Sequence, residues 1–271
     1  MSLDQTNHFG FDASYAAAQA RRYLPLIRRY FRSRIEGLER VPDGRTFIGV
    51  GNHGGGIMMP DVALLLFTLC SEPRETPVLF LTHQQMLKAA PRLFGRFFRG
   101  VGAIGASADN ARRALSSGCA VQIYPGGDRD VFRSFARRNE IRFADRKGYV
   151  RLALESGRPI LPVVSAGAHE SIVVLSEGRA IARLLGLSRK RIHVFPVILG
   201  APFGLWLGYL PGYLPLPAQI TLRILPEITL DGASPSDADR PSVVDEIDRE
   251  VRARMQAALD DLGHRRSFFV G

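Results

Sequence analysis

Thr46-Phe47-Ile48-Gly49-Val50-Gly51-Asn52-His53-Gly54-Gly55-Gly56-Ile57-Met58-Met59-Pro60-Asp61 is the stretch on which the reading of this chain turns. Thr46 to Val50 reads as a short buried strand, and Val62 to Cys70 is apolar on every side, as an interior helix would be. His53 therefore falls where a strand gives way to a loop. Three consecutive glycines let the backbone take positive φ and admit a ligand closely. Asp61 falls at a helix N-cap or first turn, where the helix dipole favours its ionised form. The stretch thus predicts a histidine base and an orienting acid, His53 and Asp61.

Working outward, Ser14 to Ile35 has helical periodicity, with Tyr23, Leu24, Ile27, Tyr30 and Phe31 on one side and Arg21, Arg22, Arg28, Arg29 and Arg32 filling the rest. Such a basic amphipathic helix either lies on a membrane or packs as a surface helix, and both readings stay open. Pro42-Asp43-Gly44 is a turn between short strands. Pro77 to Leu81, Ala120 to Tyr124 and Ile160 to Val164 read as buried strands. Gln84 to Leu93, with a break at Pro91, Ala108 to Leu115, Lys147 to Ser156 and Ser242 to Leu262 read as helices. Strands alternating with helices predict an α/β fold: a single domain with a central mostly parallel or mixed sheet flanked by helices. In domain terms, residues 1–35 form an N-terminal amphipathic helical segment and residues 36–271 the main domain, which includes the C-terminal helix 242–262.

The 271 residues, 46% of them hydrophobic, suffice for one sizeable core. Cys70 and Cys119 lie inside apolar stretches without metal-ligand spacing, which points to a reduced intracellular compartment and no thiol nucleophile. The first residues lack a basic segment followed by an apolar core, so no secretory signal is expected. The net charge is +10, and residues 92–151 hold thirteen Lys/Arg against five Asp/Glu. A basic face of this kind attracts an anionic membrane surface or phosphorylated small molecules. Phe94, Phe97 and Phe98 sit at helical spacing, as core or membrane-facing residues do, so nucleic acid is not expected. From Val194 to Leu222 no residue is charged, a run longer than the roughly 20 residues that span a bilayer. Five prolines interrupt it, which argues against a continuous transmembrane helix. With Trp206, Tyr209 and Tyr213 in it, stretch 194–222 is read as a monotopic membrane-proximal patch in preference to a buried core segment.

A second glycine-rich turn, Tyr124-Pro125-Gly126-Gly127-Asp128-Arg129, also follows a strand. The N–H groups of Gly126 and Gly127 and the guanidinium of Arg129 are candidates for holding a ligand oxygen, a phosphate or a developing oxyanion. Neither turn carries a P-loop Lys-Ser/Thr or the Rossmann glycine spacing, so nucleotide hydrolysis and hydride transfer are set aside. His169-Glu170 follows the strand Leu161 to Val164 and reaches the same sheet edge as His53. The pair is read as acceptor-binding or supporting residues, or as a hydrogen-bonded strand-end pair, and no metal is expected because ligand spacing is absent. Asn52 and Lys147 are further supporting candidates.

The order His53…Asp61, Gly102-Ala103-Ile104, Tyr124-Pro125-Gly126-Gly127-Asp128-Arg129, Lys147 to Ala153 and Pro159 to Val163 resembles the glycerolipid acyltransferase superfamily. That superfamily includes lysophosphatidic acid and diacylglycerol acyltransferases. The resemblance runs from about Ile35 to Ala168. It implies transfer of a fatty acyl group from acyl-CoA or acyl carrier protein, as co-substrate rather than cofactor, to a glycerolipid hydroxyl at a membrane. His53 matches the family's catalytic histidine, Asp61 its partner carboxylate and Arg129 the arginine of its third block, tied to the acceptor. Three departures stand out. Seven residues separate His53 from Asp61 where the family has four. Gly126 replaces the third block's glutamate. Gly105-Ala106-Ser107-Ala108 lacks the second block's arginine. The first requires the glycine loop to bring Asp61 back; the other two leave the acceptor open between lysophosphatidate and mono- or diacylglycerol.

The chemistry follows without the family. An alcohol is a poor nucleophile at neutral pH, and a positioned imidazole that takes its proton during attack contributes about 10²–10⁴-fold. Attack on a thioester needs no side-chain nucleophile. The expected protein is a peripheral or monotopic enzyme on the cytoplasmic face of a membrane, with membrane lipids and acyl-CoA as partners. The competing readings are a lipid esterase or thioesterase using the same pair on water, and a silent lipid-binding homologue.

Overall fold

The computed structural model describes residues 9–84, 87, 92–143, 145–187, 192–210 and 212–267. Among the described residues ten strands form two sheets. The larger runs β1 (Arg34–Glu36), β10 (Thr221–Ile224), β6 (Ile160–Ala166), β2 (Ile48–Gly51), β5 (Ala120–Ile123), β3 (Val78–Thr82), β4 (Ala103–Gly105). From β6 to β4 all neighbours are parallel, whereas β10 runs antiparallel to β6 and carries β1 parallel to itself. The result is the expected α/β fold with a mixed, mostly parallel sheet.

Strand alternation sends successive side chains to opposite faces of this sheet. Ile48, Val50, Leu79, Val121, Ile160 and Val164 pack against helices Ala108–Ser116, Gly148–Ser156 and Pro241–His264. Phe47, Val78, Phe80, Leu161 and Val163 pack on the other face, with α1 (Ala13–Tyr30) and α2 (Pro60–Cys70). In chain order, α3 is Arg92–Gly100, α4 Ala108–Ser116, α5 Asp128–Val131, α6 Gly148–Ser156, α7 Arg179–Leu184 and α8 Pro241–His264. Pro60 starts α2 at a position where its missing N–H costs nothing, and Leu64 to Leu69 are all buried, as befits a helix without a polar face.

Two expectations change. The first helix stops at Tyr30, and Ile35 lies in β1 instead, because Arg34 to Glu36 find a partner in β10 that no local periodicity announces. That helix buries Ala16, Ala20 and Leu24 in the core beside α2 while Leu26 stays exposed, so its small-residue stripe faces protein. The expected helix Gln84 to Leu93 falls largely outside the described residues. The uncharged stretch 194–222 divides: β8 (Val197–Gly200) and β9 (Gly204–Leu207) join β7 (Val173–Ser176) in a three-stranded antiparallel sheet, and the rest leads into β10. Among the described residues no helix is long and apolar enough to cross a membrane.

Candidate active site

Strand β2 lies between β5 and β6 and runs parallel to both, so the loops leaving these three strands emerge side by side at the carboxyl edge of the sheet. That edge is where open α/β sheets place their ligands. His53 leaves β2, Tyr124 to Asp130 leave β5, and Ala168 to Glu170 form one 3₁₀ turn beyond β6.

The carboxylate that meets the imidazole is Asp130. Its Oδ2 lies 3.2 Å from His53 Nδ1 and also accepts the His53 backbone N–H at 2.9 Å. Asp130 is fully buried and paired with Arg133, one turn on and equally buried. Burial alone would raise the Asp130 pKa, but the Arg133 guanidinium and the bond to His53 outweigh it, and the carboxyl stays below its ordinary range. An ionised carboxylate only accepts, so Nδ1 carries a proton, and in the neutral imidazole Nε2 is the nitrogen with the free lone pair. The Tyr124 ring stacks on the imidazole with centroids 4.7 Å apart and fixes its plane.

Asp61, expected on the ring, does something else. It accepts the Gly54 N–H at 3.0 Å on Oδ2 and the Val62 N–H at 2.9 Å on Oδ1. The glycine loop does fold it back, with Gly55 at φ 80° and Gly56 at φ 65°, but onto the backbone one residue past His53. The helix terminus does not hold its pKa down. Burial pushes the carboxyl up to about 6, against the opposing pull of His53 and the N–H donors.

The other candidates sort by position. Asn52 bridges β2 to β6 with a reciprocal pair, donating to the Ser165 carbonyl at 2.8 Å and accepting its N–H at 2.9 Å. His169 stands with Nε2 4.0 Å from Asp130 Oδ1, and a Cβ on Gly54 would come within 2.8 Å of its ring, so glycine is required there. Burial, with Arg133 nearby, pushes its imidazole down to about 3 and keeps it neutral. Glu170 is turned toward Arg138 at 3.6 Å and Arg266 at 2.8 Å, away from convergence with His169. The Gly127 N–H is spent on the Tyr124 carbonyl at 3.2 Å, which removes it as an oxyanion donor. Gly126 packs directly under the Asp130 side chain. Arg129 lines a cleft of about 350 Å³ together with Arg142, Asp145, Arg179, Asp248 and Arg252. Lys147 lies on the α8 side and pairs with Asp245 at 2.8 Å, a tie between helices and not part of the His53 cluster.

Sequence reading missed Asp130, Arg133 and Tyr213. For Asp130 the signal was present: a second carboxylate immediately after Arg129, with an arginine at i+3. Tyr213 donates its hydroxyl to the Gly55 carbonyl at 2.6 Å and accepts the Met58 N–H at 3.0 Å, holding the glycine loop. Tyr213→Phe leaves both loop groups unpaired and is expected to lower stability by about 1–3 kcal/mol, read by urea unfolding.

An α/β domain on a mostly parallel sheet, with a histidine, a buried carboxylate and two glycine turns at its carboxyl edge, is the class that fold and site define. A family description, "Acyltransferase", matches residues 32–166. An uncharacterized protein of Mycobacterium tuberculosis is 30% identical over 272 residues, covering 98% of this chain and 72% of that one. One from Mycobacterium leprae is 27% identical over 271 residues, covering 98% and 70%. The crystal structure of the 1-acyl-sn-glycerophosphate (LPA) acyltransferase PlsC from Thermotoga maritima superposes with a TM-score of 0.50 at 16% identity, covering 92% of this chain and 83% of that one. The chain belongs to the acyltransferase family.

Proposed function

We propose that the protein transfers a fatty acyl group from a thioester carrier, acyl-CoA or acyl carrier protein, to a hydroxyl of a glycerolipid. The observation that carries this reading is the His53–Asp130 pair at the sheet's carboxyl edge, which leaves Nε2 as a base. The acceptor hydroxyl attacks the thioester carbon as His53 takes its proton; a C–O bond forms. The tetrahedral species then collapses, the C–S bond breaks, and the departing thiolate takes the proton back from the imidazolium. Asp130 orients the ring and stabilises its charged form while staying ionised itself. The burial of Cys119 and the half-burial of Cys70, each thiol pushed up to about 11, fit a mechanism without a covalent acyl-enzyme on sulfur. The arginine-lined cleft beside Arg129 is suited to the phosphates of the donor or acceptor.

The test incubates the purified protein with labelled acyl-CoA and, in parallel, lysophosphatidate, monoacylglycerol and diacylglycerol. One acceptor is expected to be acylated, and His53→Ala to slow that transfer by about 10²–10⁴-fold. Release of free fatty acid with every acceptor left untouched would make the protein a hydrolase, and a fully active His53→Ala would remove His53 from the chemistry.

A further inference from the structure

The small sheet β7–β8–β9 has two unlike faces. Val174, Ile198 and Trp206 stand opposite one another in register and are buried. The intervening residues point the other way: Val173, Leu199 and Leu205 form one cross-strand row, and Val197 and Leu207 the next. On this outer face Leu199 is 45%, Leu205 63% and Leu207 60% exposed. The patch continues into Phe203 at the β8–β9 turn and into Leu214, whose N–H extends the sheet by bonding to Ala201. A contiguous apolar face of this kind is rare on a soluble surface without a partner.

Beyond strand β7 the chain enters a segment of basic sequence. Strand β7 leads through Gly178 into α7, and that helix is stitched to the strand's neighbour by the Phe195 N–H bond to the Glu177 carbonyl. Leu184 and Leu185 are exposed at the end of α7, next to exposed Arg183. Sequence positions 179–193 hold five Lys/Arg and no Asp/Glu. Exposed leucines beside Arg183, in a segment whose sequence is basic, match an anionic bilayer, where the apolar groups enter the acyl boundary and a cation meets headgroup phosphates.

We infer that the outer face of β7–β8–β9, with the end of α7, is the surface by which this protein docks on an anionic lipid bilayer. It rests on the reading that the acceptor is a lipid. Two of the three aromatics expected at the interface face inward instead: Trp206 stacks on Tyr213 at 5.9 Å, and Tyr213 holds the loop that follows His53, while Tyr209 stays 36% exposed. Strand β9 therefore alternates between bilayer and catalytic loop, Leu205 and Leu207 outward and Trp206 inward. Docking thus links the lipid-facing strand to the loop after His53 through Trp206 and Tyr213.

Flotation with phosphatidylcholine vesicles, with and without phosphatidylglycerol, tests this without any turnover. The parent is expected to float with the anionic vesicles, and Leu205→Glu/Leu207→Glu to weaken that partition by at least about tenfold. Arg183→Glu, which leaves the sheet intact, is expected to weaken binding to anionic vesicles and not to neutral ones, and serves if the double variant does not fold. Undiminished flotation of both variants would overturn the inference. So would light scattering that shows the parent as a dimer and the double variant as a monomer, which would make the face a self-association surface. Flotation without acylation of any acceptor would leave the docking surface standing and defeat the proposed reaction.

Discussion

Asp130→Asn is expected to lose acyl transfer and stability together, and the two losses have different origins. Asparagine keeps an acceptor oxygen but no charge. The imidazolium formed during attack then lacks its counter-ion, and transfer is expected to fall by about 10²-fold or more, the scale of the base's own contribution. Arg133, fully buried, is left without its anion, and breaking such a pair costs about 3–5 kcal/mol. Adding Arg133→Met separates the two. An apolar side chain in place of the orphaned guanidinium is expected to restore most of the lost stability in urea unfolding, since buried ion pairs tolerate apolar replacement. Transfer stays low in Asp130→Asn/Arg133→Met. A double variant that regained transfer would reduce Asp130 to a structural role, and an Asp61→Asn enzyme impaired as deeply as Asp130→Asn would return the pairing role to Asp61.

The second large effect is hidden in the parent and appears in single variants. The Asp61 carboxyl is pushed up to about 6 by burial, and the His169 imidazole is pushed down to about 3. Between roughly pH 4 and 6 the native state holds a proton on Asp61 that the unfolded chain lacks, so this group's contribution is present at low pH and lost as pH rises. Over the same window the unfolded chain binds a proton at His169 that the native state refuses, so that contribution is present at high pH and lost as pH falls. Each slope is about 1.4 kcal/mol per pH unit, and the signs oppose. The parent is expected to be nearly flat in these two terms. Asp61→Asn unmasks the histidine and loses stability as pH falls from 6 to 4; His169→Gln unmasks the carboxyl and gains stability over the same fall. Denaturant unfolding of the three proteins at matched pH checks this, and parallel curves would refute the opposed pair.

How much of this was legible beforehand depended on sequence distance. Apolar runs ending in glycine turns located β2, β5 and β6, and hence the edge on which His53 and the Gly126-Gly127 turn meet. The continuous apolarity of Val62 to Cys70 located the buried helix α2. What stayed hidden were pairings set by the three-dimensional order of strands. The partner of His53 lies 77 residues away in a loop that reads as an oxyanion turn, while the nearer Asp61 satisfies a backbone N–H. Strand β1 reads as a helix end because its partner is absent from any local window. Within the uncharged stretch 194–222, strand β9 carried two messages on alternate residues, Trp206 inward and Leu205 and Leu207 outward, and composition averages over that alternation.

The partners that close the site are made late. Tyr213 lies 158 residues after Gly55, and the β10 arginine that pairs with Glu36 of β1 lies 187 residues after it. At about 5–20 residues per second of synthesis, Tyr213 is made roughly 8–30 s after the glycine loop it holds. During that interval the loop after His53 lacks its clamp and β1 has no neighbour in the sheet. Reactive geometry therefore arrives with the last third of the chain, and a nascent or truncated chain ending before residue 213 carries the histidine and its carboxylate without the clasp that shapes the loop following His53.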